Sequence, residues 1–210
     1  MRPADCPDVI FARPGRSPSN DATRNALTLM ALPPTRHGVT TELFLRLVMR
    51  RAVSGDIGSI EKLLDQAFAP SRFESSLVKG LVLNGRNIHH WLLEQDRQLL
   101  AYVCYSQAYR RGTEPIGWHL APVAVRPEWQ RKGHGSELIR HTLAQFPISG
   151  RPVFVLGDPG YYARFGFSRI REPHCPYDLS NEHFMALRYT GRESFMIGYE
   201  REFNGGAAVV

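Results

Sequence analysis

Residues 118–156 contain an apolar strand, a helix and a second apolar strand in direct succession, and this order restricts the possible folds. The run from Trp118 to Val125 predicts the first strand. Residues 137–146 predict a helix whose inner face carries Leu138, Ile139, Thr142, Leu143 and Phe146. Pro147 ends this helix, and residues 153–156 predict a buried second strand. Such an order forms a right-handed parallel crossover, which places both strands in one sheet.

The preceding segment predicts antiparallel strands and two helices. Alternating side chains from Leu45 to Arg50 are typical of a half-buried strand. Apolar residues from Ile57 to Phe68 have helical spacing, with Ser54 or Asp56 as the cap, and a second helix is predicted over residues 74–83. Two apolar runs, residues 90–94 and 99–105, flank a polar connection and predict a hairpin. Further on, residues 184–189 and 195–199 predict a final strand pair.

Together these patterns predict one mixed α/β (α+β) domain over residues 43–204, with antiparallel strands leading into a parallel strand–helix–strand unit. Residues 1–42 are rich in proline and carry no helical or strand period, so they predict a flexible N-terminal extension. Residues 205–210 are predicted to be a short C-terminal tail.

The composition restricts the class of protein further. The chain has 210 residues, 43% of them hydrophobic, and a formal charge of +6 that comes mostly from arginine. These arginines are scattered, whereas a nucleic-acid-binding protein concentrates its charge in a stripe, so we expect no nucleic-acid partner. We find neither a run of about 18 apolar residues nor a secretory signal, and expect no membrane partner. Three unpaired cysteines favour a reducing, cytoplasmic setting.

Residues 123–136 form the most informative segment: a buried strand ends, a polar connection follows, and two glycines open a helix. Backbone N–H groups at a helix start have no partner within the helix, and the helix dipole is positive there. Gly133 and Gly135 leave that backbone accessible, while Arg131 and Lys132 add positive charge. The segment therefore predicts a cradle for a diphosphate. It lacks the pattern of a P-loop or of a dinucleotide-binding loop, and a plain tight turn is the alternative.

The sequence Val-Ala-Val-Arg-Pro-Glu-Trp-Gln-Arg-Lys-Gly-His-Gly-Ser, residues 123–136, closely resembles the acetyl-CoA motif of the GNAT superfamily of N-acetyltransferases. Its core, Gln/Arg-x-x-Gly-x-Gly/Ala, is matched by Gln130, Gly133 and Gly135. Residues 156–167 resemble the second signature of the family, and their Gly-Asp-Pro-x-Tyr-Tyr form is similar to a bacterial branch of predicted acetyltransferases. His134 stands where Ile or Leu is frequent in the family. The resemblance spans residues 47–203.

This resemblance implies a splayed central sheet whose bulged strand binds pantetheine, and acetyl-CoA as the donor of an acetyl group to an amine. Pro122 independently favours a bulge, because proline cannot donate to a central ladder. By position, Tyr162 corresponds to the general acid of the family. The implied cofactor-binding residues are Val123, Ala124, Val125, Gln130, Arg131, Lys132, Gly133, His134, Gly135, Ser136, Asp158 and Tyr161.

Several alternatives stay open at this stage. His119 could be a general base or a structural histidine, and Asp158 could line the site or cap a helix. The spacing of His174, Cys175 and His183 matches zinc patterns poorly, so no metal is expected. A non-catalytic acyl-CoA sensor on the same fold is the alternative function, and a basic nucleic-acid-binding protein is a third class. The acceptor amine is not identified, and a homodimer is compatible with the sequence.

Overall fold

The computed structural model describes residues 47–204. The predicted extension over residues 1–42 and the tail over residues 205–210 lie outside the described residues. Within that range one seven-stranded sheet is formed, with the strand order β1-β2-β3-β4-β5-β7-β6. Its strands are β1 (Leu47–Arg51), β2 (His89–Gln95), β3 (Gln98–Arg110), β4 (Glu114–Val125), β5 (Val153–Leu156), β6 (Ser168–Arg169) and β7 (Phe184–Leu187).

All neighbouring strands are antiparallel except β4 and β5, which are parallel. Four α-helices accompany the sheet in the described part of the chain: α1 (Ile57–Ala67), α2 (Phe73–Leu83), α3 (His134–Leu143) and α4 (Pro159–Tyr162). Because α3 connects the two parallel strands, the predicted strand–helix–strand unit is confirmed, and so is the mixed α/β class.

The helices cover both faces of the sheet. On one face, α1 and α2 pack on the sheet through Ile60, Leu63, Leu64 and Leu81, which are fully buried. In α1, Leu63 and Leu64 follow Ile60 by three and four residues, as helix geometry requires of one face. On the other face, α3 contributes Leu138 and Ile139 to a cluster with side chains of β2, β3, β4 and β5. The central strands are therefore buried from both sides, which explains their long apolar runs.

A β-bulge interrupts β4 at its middle. Val123 lies opposite Val103 of β3, but Leu120 lies opposite Tyr105, so that Ala121 and Pro122 together face one residue. The extra residue inverts the alternation of faces, because side chains in a strand have a period of two. Leu120 and Val123, three residues apart, consequently both pack in the α3 cluster. The bulge predicted from Pro122 is confirmed.

Beyond the bulge, β4 separates from its parallel neighbour. The paired residues are Trp118 with Val153 and His119 with Phe154, and the ladder does not extend to residues 120–125. Strand β5 continues instead along β7 as far as Leu156. A gap thus opens between the second half of β4 and the end of β5. This gap lies where the resemblance implied a splayed sheet.

Some local predictions were wrong. Phe146 is 81% exposed because α3 ends at Leu143, before Phe146 could reach the inner face. Residues 195–199 form no strand pair with β7; they contact the chain through isolated bridges such as Tyr109 with Gly198. The partner of β7 on that side is the two-residue strand β6.

The start of α1 is stabilised by more contacts than the simple cap predicted for Asp56. The Asp56 carboxylate accepts a hydrogen bond from Val53 N at 2.8 Å and two more from the Arg50 guanidinium, at 2.7 and 2.8 Å. Arg50 also binds Glu94 of β2. The hydrogen bonds to Asp56 lower the pKa of its carboxyl group, and the one from Arg50 is the largest cause.

None of the helices between residues 47 and 204 is both long and apolar enough to cross a membrane.

Candidate active site

The connection after β4 turns sharply into α3. Arg131 and Gly133 both have positive φ, 60° and 90°, and Gly133 is the residue that precedes the helix. A left-handed conformation is readily accepted by glycine, which accounts for Gly133 at this place. The first intrahelical bond runs from Glu137 N to Gly133 O at 2.9 Å. The N–H groups of the first turn, at residues 134–136, therefore have no carbonyl partner within the helix.

Gly135 is buried at the floor of this turn. A Cβ atom placed there would lie 3.0 Å from Val125 Cγ2 and 3.4 Å from the Tyr161 hydroxyl. The Tyr161 hydroxyl in turn lies 3.3 Å from Ser136 Oγ. The close contact of β4, α3 and α4 thus depends on the missing side chain of Gly135, in addition to any role in phosphate binding.

The side chains of the loop form a small cluster around Trp129. Lys132 Nζ lies 4.5 Å from the centre of the Trp129 ring, and the His134 ring packs against the same indole edge-on at 5.5 Å. Gln130 Nε2 donates to Val125 O at 3.1 Å. Arg131 is exposed. The loop is therefore ordered by contacts among its own residues, with the positive charges of Arg131 and Lys132 at its outer side.

The backbone of β4 presents polar groups to the gap. Arg126 N donates to Leu100 O of β3 at 2.8 Å, so main-chain groups at even positions face β3 in this part of the strand. Alternation then directs the main-chain groups of Val123 and Val125 away from β3, toward the gap, where Val125 O already accepts the hydrogen bond from Gln130. The side chain of Ala124 is buried in the cluster on the α1–α2 face.

Helix α4 places two adjacent tyrosines on the other side of the gap. Asp158 accepts a hydrogen bond from Gly160 N at 2.8 Å and so caps the helix. The rings of Tyr161 and Tyr162 are perpendicular, with centroids 5.0 Å apart. Tyr161 is directed to Ser136 and the loop, whereas Tyr162 packs over Gly157, where a Cβ atom would collide with its ring.

Tyr162 lines a narrow cleft at the bulge of β4. The opposite wall of this cleft comes from the end of α1 and from α2, and it includes a carboxylate, Glu74. The apolar lining consists of Phe68, Phe73, Leu77, Leu120, Pro122 and Val123. Burial raises the pKa of the Tyr162 hydroxyl above its ordinary value, and the neighbouring tyrosines raise it further. Tyr162 is accordingly a neutral phenol at physiological pH.

Glu74 is a residue that the sequence analysis missed. It lies in the first turn of α2, is 2% exposed, and accepts a hydrogen bond from Ser71 Oγ at 2.8 Å. Ser71 Oγ also accepts a hydrogen bond from Phe73 N at 3.1 Å, so the serine links the glutamate to the first turn of α2. Only the packing of α2 against the bulge places its carboxylate in the same cleft as Tyr162.

His119, the candidate base, belongs to the interior. Its ring stacks on Tyr199 with centroids 3.7 Å apart, and its Nε2 lies 3.1 Å from Gly198 O. Burial lowers the pKa of the imidazole to about 3, so it is neutral under physiological conditions. Cys104 is likewise buried, and burial raises the pKa of its thiol to about 12. Both side chains have packing roles.

A second, more open groove lies at residues 170–172 and 189–192. None of its lining residues belongs to the predicted site. By contrast, the predicted residues of the loop, β4 and α4 are contiguous in space: Val125 contacts Gly135, Gly135 contacts Tyr161, and Tyr161 contacts Tyr162. The structure thus joins the two predicted motifs into one surface along the gap.

A family model described as an acetyltransferase (GNAT) domain matches residues 86–169 of the chain. Among curated proteins, the chain is 31% identical over 157 residues to the uncharacterized N-acetyltransferase YjhQ of Escherichia coli (strain K12). That match covers 70% of this chain and 86% of the relative. The chain is also 28% identical over 151 residues to the uncharacterized N-acetyltransferase YhbS of the same strain, covering 70% and 83%.

Two solved structures resemble the fold of this chain. One is the GNAT family N-acetyltransferase YhbS from Escherichia coli in complex with CoA, with a TM-score of 0.68 and 26% identity over 78% of this chain and 95% of that chain. The other is a GNAT family acetyltransferase from Brucella melitensis in complex with acetyl-CoA. Its TM-score is 0.64, with 28% identity over 75% of this chain and 98% of that chain.

Proposed function

Because the chain belongs to the GNAT family of acetyltransferases, we propose that it transfers the acetyl group of acetyl-CoA to a primary amine, by direct attack within a ternary complex. The observation that carries this proposal is the arrangement along the gap. A helix start whose first-turn N–H groups have no partner within the helix lies at one end, main-chain groups outside the β3 ladder line the middle, and a neutral tyrosine lies at the other end. The related structures that hold CoA and acetyl-CoA support acetyl-CoA as the donor.

The start of α3 would bind the pyrophosphate. Its first-turn N–H groups and the positive end of the helix dipole suit an anion, and Arg131 and Lys132 add charge at the outer side. The main-chain groups of Val123 and Val125 face the gap and would pair with the amides of the pantetheine arm as an added strand does. The thioester would then lie near Pro122, in the cleft that Tyr162 lines.

The chemistry needs an uncharged amine, an oriented carbonyl and a proton for the leaving thiolate. The amine nitrogen attacks the thioester carbon, the C–N bond forms, and the C–S bond breaks with its electron pair moving to sulfur. The Tyr162 hydroxyl, kept protonated by its raised pKa, is the proposed proton donor to that sulfur. Holding both substrates in one cleft supplies much of the acceleration.

The test has two measurements on the purified protein: calorimetric binding of CoA, and release of its thiol from acetyl-CoA in the presence of a panel of primary amines. We expect CoA binding and amine-dependent thiol release, with formation of the acetylated amine seen by mass spectrometry. CoA binding without transfer to any amine would instead favour the non-catalytic sensor. Absence of CoA binding would overturn both functions.

A further inference from the structure

Glu74, in the first turn of α2, combines burial with a place in the candidate site. Its side chain is almost completely buried, and it lines the cleft that also contains Tyr162. Burial of an ionised carboxylate is costly unless a cation or several hydrogen bonds compensate it. Its hydrogen bond from the Ser71 hydroxyl supplies part of that compensation.

The basic side chains around Glu74 are bound elsewhere. Arg72, two residues before it, pairs with Asp65 at 2.6 Å, and Lys79 pairs with Glu61 at 3.3 Å. Among the ion pairs within residues 47–204, none involves Glu74. The cleft thus presents an anionic group whose natural complement is a cation arriving with the second substrate.

The other residues that line the cleft restrict the chemistry of the group to which the cation is attached. Phe68 follows the last residue of α1, Phe73 is the first residue of α2, and Leu77 lies one turn after Phe73. These side chains favour a hydrocarbon group, because a polar or charged group there would lose its hydration without gaining a partner. A carboxylate beside the amine would in addition be repelled by Glu74.

We infer that Glu74 binds the ammonium group of the acceptor, and that this acceptor bears its amine on an uncharged hydrocarbon group. The inference rests on the proposed function and names its acceptor class. The Glu74 carboxylate takes one proton from R–NH3+, which leaves the free amine to attack the thioester. The second proton leaves the nitrogen as the amide forms, and the thiolate takes up one proton through Tyr162. The products are the neutral amide, CoA thiol and one proton released to water.

The key variant is Glu74→Gln, which keeps the size and the acceptor for Ser71 but removes the charge. With acetyl-CoA saturating, we expect kcat/KM for 2-phenylethylamine to fall by roughly 10²-fold. CoA affinity and the melting temperature should change little. Glu61→Gln on the neighbouring helix removes a partly exposed carboxylate outside the cleft and is the matched control; it should retain full activity.

A second variant separates a structural role of Glu74 at the start of α2 from acceptor binding. Ser71→Ala removes the hydrogen bond to Glu74, and the one that Phe73 N donates to the Ser71 hydroxyl, but leaves the carboxylate in place. If Glu74 only holds the start of α2 through Ser71, Ser71→Ala should lose stability, whereas Glu74→Gln, which keeps the acceptor for Ser71, should retain both stability and activity. If Glu74 binds the amine, only Glu74→Gln should lose activity. Should Glu74→Gln fold poorly, Glu74→Asp retains the charge and should keep more activity than Glu74→Ala at equal melting temperature.

The acceptor class is tested with the wild-type protein by comparing 2-phenylethylamine with phenylalanine, which differs by a carboxylate. We expect kcat/KM at least roughly tenfold higher for the amine without the carboxylate, given the cost of juxtaposed like charges. Equal or better use of phenylalanine, or unchanged kinetics in Glu74→Gln, would overturn the inference while leaving amine acetylation intact. CoA binding with no amine in the panel acetylated would overturn the proposed function as well.

Discussion

The two ends of the gap are built in different ways. At the loop end, residues 130–136 are contiguous in sequence, and the groups that suit an anion are backbone N–H groups of one helix start. At the cleft end, Glu74, Pro122 and Tyr162 come from three separate segments, α2, β4 and α4. The first end depends on local conformation, and the second depends on how the helices pack against the bulge.

This difference predicts how each end responds to substitution. A change at the loop end should act on binding of the donor, because the phosphate contacts are made equally in the ground and transition states. A change at the cleft end should act on the chemical step and leave donor binding almost unaltered. The following predictions test that division, from the largest expected effect to the smallest.

Gly135→Glu should abolish most CoA binding. Its Cβ atom would press on Val125 Cγ2, and its carboxylate would lie near the phosphates. We expect affinity to fall by roughly 10²-fold or more, since juxtaposed like charges cost several kcal/mol. Gly135→Gln has the same steric effect without the charge and should bind more tightly than Gly135→Glu. Calorimetry measures both; equal affinities for wild type and Gly135→Glu would remove the phosphate cradle.

Tyr162→Phe should act at the cleft end alone. The ring and its packing over Gly157 are kept, and only the hydroxyl is lost. With a competent acceptor and the chemical step limiting, kcat should fall by about 10²-fold, the scale of general acid catalysis. Tyr161→Phe is the matched control, because its hydroxyl contacts Ser136 at the loop end, and it should affect CoA affinity more than kcat. Full turnover by Tyr162→Phe would exclude the acid role.

His119 lies in the interior, one residue before Leu120 of the cleft, and it should affect stability. Its pKa is lowered to about 3 by burial, whereas in the unfolded chain it is near 6.5. Below pH 6.5 the unfolded state therefore binds the additional proton, so stability falls as the pH decreases toward 3. At pH 5 the contribution is about 2 kcal/mol. In His119→Gln the unfolding free energy should decrease less between pH 7 and pH 5, as measured with urea. An equal decrease of the unfolding free energy in the wild type and in His119→Gln would contradict this account.

Arg131→Asn should have the smallest effect. Asparagine tolerates the positive φ at this position, so the loop conformation is kept while one charge is removed. CoA affinity should fall by a few-fold at low salt, and the difference should shrink as ionic strength screens the exposed charge. Arg97→Asn is the matched control, because Arg97 is also exposed and has positive φ but lies at the tip of the β2–β3 hairpin. It should leave CoA affinity unchanged. A salt-independent loss would indicate a structural role for Arg131.

Much of the fold was determined by the sequence itself. The order of apolar runs and helical spacings predicted β1 to β5 and α1 to α3, because each depends on residues close together in the chain. Two single residues, Gly133 and Pro122, likewise determine the backbone at their own positions. Gly133 permits a left-handed turn, and Pro122 cannot donate to a ladder, so the turn and the bulge are properties of single positions.

Other features depended on contacts between distant segments. The sequence of residues 195–199 has the composition of a strand, yet Gly198 pairs with Tyr109 of β3 only through an isolated bridge, a contact between distant segments. His119 and Glu74 are the clearest pair. His119 stands in an apolar run and Glu74 among polar residues, and neither sequence context assigned the residue its role. Stacking on Tyr199 places His119 in the interior, while packing of α2 against the bulge places Glu74 in the cleft. Local chemistry thus determined which backbone could bind an anion, and tertiary packing decided which side chains face the reacting groups, because burial and proximity arise only when separate elements meet.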